Sequence, residues 1–200
     1  MEYDHTSAER KRAELIQMAL SALPPDFPHR EKIAERIVGA FIQITPPANE
    51  PARLDLLTIP RMGAQGGSSR KPGNIFLNLR TLIEIVSNIA LTVAGVAGQQ
   101  WLIPLAGLHI LNTLYSNSTV ELDRNHAMAI YAMWTNRNRE DRISRDNALS
   151  KTNGHMTFSG FFPLNEAEFS KVIDDLCEMG CIEVENGMIL LRERVKTIYE

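Results

Sequence analysis

Several groups of residues in this chain have side chains that could do chemistry, and most fail on spacing. The segment Gly63-Ala-Gln-Gly-Gly-Ser-Ser-Arg-Lys71 holds glycines, serines and a lysine, the raw material of a phosphate cradle. A phosphate loop follows a strand and ends in Gly-Lys-Ser/Thr, so that backbone N–H groups and the lysine converge on one oxyanion. Here the order is wrong, and a flexible linker is the better assignment. His5, His29, His109, His126 and His155 show no metal-ligand spacing with one another or with Cys177 and Cys181. No serine or cysteine sits in a nucleophile turn, and Glu31 with Glu35 is one exposed helix face. No catalytic, cofactor-binding or metal-binding residue is assigned, no cofactor is expected, and the chain is expected to be non-enzymatic.

Charge is the more informative chemistry. The net charge is -3, but it is unevenly spread. Residues 1–117 carry 11 basic and 10 acidic side chains, net +1, and residues 118–200 carry 10 and 14, net -4. Within the acidic half, Glu166, Glu168, Lys171, Asp174, Asp175 and Glu178 fall on the exposed side of one amphipathic pattern. They form the candidate protein-binding face. A second, basic set comprises Arg137, Arg139, Arg142 and Arg145 in one segment and Arg192, Arg194 and Lys196 in another, with Glu140, Asp141 and Glu193 interleaved. It is the candidate nucleic-acid-binding set, since phosphate contacts come from Lys and Arg.

The elements that must position these residues are mostly helical. A capping box at Thr6-x-x-Glu9 opens a helix over about 6–23, stopped by Pro24 and Pro25. Pro28 starts a second over about 29–44, with Ile33, Ile37, Phe41 and Ile44 at helical spacing. Five prolines and four glycines mark 45–74 as a linker, in which Leu54, Leu56, Leu57 and Ile59 are expected to dock as a short strand or a single turn. Residues 75–116 read as a hydrophobic helical hairpin. A narrow polar stripe (Asn78, Thr81, Glu84 or Ser87, Asn88, Thr92, Gly95) marks its first arm, and Gly98-Gln99-Gln100 breaks it before Pro104. Each apolar arm is shorter than the roughly 20 residues a spanning helix needs.

In the C-terminal half, Asp123 caps a helix that ends near Asn136, and Ser144 caps a short one over about 143–152. A longish loop follows, Asn153–Pro163. Asn165 with Glu168 makes a capping box, Leu164 and Phe169 a hydrophobic staple, and Gly180 the helix end. Cys181–Val184 and Met188–Val195 flank Asn186-Gly187, a dipeptide suited to a type I′ hairpin turn. Helix, capped helix, glycine, strand, tight turn and strand is the order of the winged helix, and residues 118–200 resemble that superfamily.

The expected architecture is therefore mainly α. An N-terminal helical region (1–117) is followed by a C-terminal winged-helix domain with a two-stranded wing (118–200). The resemblance implies a module that binds protein or nucleic acid. A DNA-reading third helix should present a neutral or basic face, and five carboxylates against one lysine argue for protein instead. The expectation is a cytoplasmic interaction or adaptor module with a protein partner. The polar N-terminus, which does not read as a signal peptide, and only two cysteines support that compartment. Two alternatives stay open: a nucleic-acid-binding regulator acting through the basic set, and a membrane-associated protein inserting 75–116. The same hairpin could instead be core or a self-association surface, giving a homo-oligomer.

Overall fold

The structure is a computed structural model that describes residues 2–49, 71–92, 99–115 and 120–199. Among these residues the chain runs β1 (Glu2–Tyr3), α1 (His5–Ala22), α2 (Arg30–Phe41), β2 (Ile42–Thr45), β3 (Ala48–Asn49), β4 (Gly73–Asn78), α3 (Leu79–Thr92) and α4 (Leu102–Tyr115). It continues with α5 (Arg124–Asn136), β5 (Arg142–Ser144), α6 (Arg145–Phe158), α7 (Glu166–Glu178), β6 (Ile182–Glu185), β7 (Met188–Leu191) and β8 (Arg194–Tyr199). The fold is mainly helical, with three small antiparallel sheets.

The N-terminal helices differ from expectation at their ends. Helix α1 is capped by Asp4, whose Oδ1 accepts from the Ser7 N–H at 3.0 Å, so Thr6 and Glu9 lie inside the helix rather than forming its capping box. Helix α2 stops at Phe41, three residues short of expectation. Ile42-Gln-Ile-Thr instead forms β2, because two β-branched residues two apart find partners, Ile42 opposite Leu77 and Ile44 opposite Ile75. The expected linker 45–74 thus contains β3, which pairs with β1, and the start of β4. Residues 50–70, including Leu54 to Ile59 and most of the glycine-rich segment, lie outside the described residues, as do Gly95 and Gly98.

The hydrophobic hairpin is preceded by a strand. Residues 73–78 form β4, the centre of the sheet β2-β4-β8, with Ile75 and Leu77 fully buried. Asn78 ends the strand and caps α3, its Oδ1 accepting from the Thr81 N–H at 3.0 Å. Helices α3 and α4 pack against α1, α2 and α5, with Leu82, Ile89, Ile103, Leu108 and Leu111 fully buried. Gly107 admits this packing, since a Cβ there would stand 2.3 Å from Leu82 Cδ2. The described parts of both arms are thus core of their own chain, and no helix among the described residues is long and apolar enough to cross a membrane.

The last strand crosses the expected domain boundary. Met188–Val195 is not one strand: it breaks at Arg192–Glu193, and β8 leaves the hairpin to pair with β4 along its whole length. Gly73 lies opposite Tyr199, and a Cβ at Gly73 would stand 2.3 Å from that ring. One continuous apolar core runs through both halves, from Leu15 and Phe41 to Trp134, Phe169 and Val195.

The C-terminal elements follow the expected order with two differences. Helix α6, capped by Ser144, extends through Asn153–Phe158, so the loop before α7 shortens to 159–165. The expected two-stranded hairpin gains a third strand, β5, giving the order β5-β7-β6. The turn between β6 and β7 has positive φ at both Asn186 (51°) and Gly187 (75°), the type I′ geometry.

Candidate functional site

Helix α7 buries Phe169, Val172, Ile173 and Leu176 against α5 and β6 and turns its opposite side to solvent. At 100° per residue, Ala167, Lys171, Asp174 and Glu178 form the ridge farthest from the core, and all four are exposed. Glu166, exposed, flanks this ridge. Lys171, Asp174 and Glu178 have no ion-pair partner among the described residues.

Two of the six candidate residues are held by the fold instead. Glu168 closes the capping box: its Oε2 accepts from the Asn165 N–H at 2.9 Å, and its own N–H donates to Asn165 Oδ1 at 3.0 Å. The Asp175 carboxylate, 17% exposed, lies 3.0 Å from His126 Nε2 on α5. His126, 3% exposed, has its Nδ1 2.7 Å from Asp123 Oδ1. Both ring nitrogens therefore face carboxylates, and Nδ1 also lies 3.2 Å from the Asp123 N–H, the capping-box contact. Burial alone would lower the His126 pKa, but the hydrogen bonds and charges of Asp123 and Asp175 raise it above 6.5. His126 thus links α5 to α7 through Asp175. Sequence spacing missed it because Asp175 is 49 residues from His126. The one local signal was Asp123-x-x-His126, a capping-box spacing with histidine in place of glutamate.

The basic candidates do not converge on one face. Arg137 donates to Asp141 Oδ1 at 2.6 Å and to the Trp134 carbonyl, with its guanidinium 4.7 Å from the Trp134 ring centroid. Arg145 lies 5.8 Å from the Phe169 ring centroid, and Arg192 pairs with Glu183. Arg139 is exposed in the turn before β5, and Arg142 is half-buried in β5. Arg194 and Lys196 lie in β8, in the other sheet, so they do not belong to the β6–β7 hairpin. The tip of that hairpin instead carries Glu185.

The end of α6 and the loop before α7 hold residues that the sequence reading passed over. Phe158 is 93% exposed and Phe162 is 92% exposed, whereas Phe161 between them packs inward. The Arg124 guanidinium lies 3.7 Å from the Phe161 ring centroid, and Trp101 meets that ring edge-on. The loop is held rather than loose. Asn153 donates to the Leu164 carbonyl at 3.0 Å and accepts from the Leu164 N–H at 2.7 Å, while the Phe161 N–H bonds the Met156 carbonyl at 2.8 Å. Phe162 and Glu168 border one depression, so the exposed ring adjoins the start of the acidic helix. The signal in the sequence was Ser-Gly-Phe-Phe-Pro, two aromatic residues in a segment whose neighbours all favour turns.

Both cysteines are free thiols, and burial pushes both pKa values up, with Asp174 adding to the shift of Cys177 and Cys177 to that of Cys181. That disfavours the reactive thiolate. Among the described residues no group of three or more His, Cys, Asp or Glu side chains could hold a metal ion. Comparison of the chain with protein-family models, with curated proteins and with solved structures found no match.

Proposed function

We propose that residues 118–200 form a winged-helix module that docks a basic protein partner, making the chain a non-enzymatic adaptor of the cytoplasm. The order α5-β5-α6-α7-β6-β7 with sheet order β5-β7-β6 supports the winged-helix assignment. The docking surface is the α7 ridge together with Phe162. The observation that carries this is the placement of charge at the end of α7. A helix C-terminus carries partial negative charge, and carboxylates there are unfavourable while Lys or Arg would be favoured. Yet the second half of α7 holds Asp174, Asp175 and Glu178, with no basic residue in its last turn. Asp175 is accounted for by His126; Asp174 and Glu178 have no such structural use. A local cost without local compensation is expected where a surface serves a partner.

An aromatic ring exposed beside such a ridge supplies the apolar anchor that dominates many interfaces. The same ridge would repel phosphates, which disfavours groove reading by α7.

The test is a photocrosslinking residue at Phe162 in cells that make the protein. A discrete protein adduct is expected, and it should disappear when Asp174 and Glu178 are both changed to Lys. An adduct indifferent to that double reversal, or no adduct at all, would overturn the proposal. Glu168 and Asp175 are unsuitable for this test, because their loss perturbs the fold.

A further inference from the structure

Glycine is a poor helix former, so a glycine inside a helix calls for a reason. Gly107 in α4 has one, the close approach of Leu82. Gly154 in α6 has none of that kind: no atom lies within 4 Å of where its Cβ would stand. The space it faces is a cavity of about 670 Å³ between α6, α5 and the residues that lead into α4. That is the size of a small-molecule site.

The lining of this cavity has a definite chemistry. Trp101, Tyr131, His155 and Phe158 supply four aromatic rings, with Tyr131 and His155 meeting edge-on at 5.3 Å. Lys151 supplies a cation, and no carboxylate lines the cleft among the described residues. Lys151 has no ion-pair partner among the described residues. Burial, and then the Lys151 charge, lowers the His155 pKa, so this imidazole is a neutral hydrogen-bonding group at neutral pH.

We infer that this cleft binds a small planar aromatic anion, its ring against Trp101, Tyr131 and Phe158 and its acid group on Lys151. Gly154 keeps the floor open. This site is independent of the protein-docking ridge on α7, and either assignment can fail without the other.

The experiment is calorimetric titration of the full chain with 2-naphthoate and, in parallel, with its neutral analogue 2-naphthylmethanol. Single-site, saturable binding of naphthoate below about 1 mM is expected. Lys151→Gln should weaken naphthoate about tenfold, as loss of a hydrogen bond to a charged group does, and leave the neutral analogue unchanged. Gly154→Leu should abolish binding of both while raising the melting temperature, because leucine fills the cleft and favours the helix. Absence of saturable binding would overturn the inference. So would a folded Gly154→Leu variant that binds as well as the parent. Equal weakening of both probes by Lys151→Gln would remove the anion from it. Should Gly154→Leu fail to fold, Lys151→Gln, at an exposed position, still decides.

Discussion

Removing Asp175 tests whether His126 is a charged clamp. In Asp175→Ala the Nε2–H of a 3% exposed ring loses the one acceptor it has among the described residues. Leaving such a donor unsatisfied costs about 1–3 kcal/mol, with bonds to charged groups toward the upper end. Asp175 is itself 17% exposed, so water can reach part of the vacated site. That brings the expected loss to about 2 kcal/mol, or about 4–8 °C in melting temperature for a domain of this size.

The pH dependence gives the sharper outcome. The folded-state pKa of His126 is raised above 6.5. The stability this contributes is fully present below pH 6.5 and is lost as pH rises through the raised value. Asp123 works in the opposite sense. Burial pushes its pKa up, but the His126 and Asn125 hydrogen bonds and the His126 charge outweigh that and hold it below 3.8. Its contribution is present above pH 3.8 and is lost as pH falls through the lowered value. Glu121, Glu168 and Lys171 border the same depression but do not bond the ring.

Urea unfolding at pH 5.5 and pH 9 should therefore show a larger loss for Asp175→Ala at pH 5.5. Asp175→Asn keeps an acceptor without the charge and should fall between the parent and alanine. NMR titration should place the His126 pKa above 6.5 in the parent and lower in both variants. A loss equal at the two pH values, or larger at pH 9, would refute the charged clamp and leave a neutral hydrogen bond.

Further outcomes follow from other elements. The double substitution Asp174→Lys with Glu178→Lys should stabilise the chain by about 0.5–2 kcal/mol in thermal unfolding at low salt, since each moves a cation to the negative end of α7. Asn153→Ala should cost about 1–3 kcal/mol by removing both bonds to Leu164, and hydrogen exchange should quicken at 159–164. Gly107→Val should destabilise by about 1–3 kcal/mol in urea unfolding, because its side chain enters the space of buried Leu82. Arg192→Glu should change stability by less than about 1 kcal/mol, the worth of an exposed ion pair.

What the sequence disclosed was what local rules control. Helices α5 and α7 begin where Asp123 and Asn165 predict, because a cap satisfies orphan N–H groups within three residues of itself. The Asn186-Gly187 turn was legible for the same reason, since positive φ at two successive residues restricts the residue types. Strands β2, β4, β5 and β8 were not legible. Each is six residues or fewer, and each is a strand only because a partner far away in the chain supplies its hydrogen bonds. Ile42-Gln-Ile-Thr continues the helical spacing of α2 as well as it alternates along a strand, and the pairing with β4 decides between them.

The candidate site divides along the same line. Periodicity alone places Lys171, Asp174 and Glu178 on one ridge, but it cannot separate them from Asp175, whose partner is on another helix. Nor can it tell that, of Phe158, Phe161 and Phe162, the middle ring packs under Arg124 while its neighbours stand in solvent. The two carboxylates without an ion-pair partner among the described residues lie on α7, and the uncovered Phe162 lies in the loop that leads into it. Each is locally unfavourable, through the helix dipole for Asp174 and Glu178 and through exposed apolar area for Phe162. Asn153 and the Glu168 capping box hold the loop and the start of that helix rigid. A rigid support under locally costly groups is the arrangement a preorganised binding surface needs, because a partner then meets residues that require no further ordering.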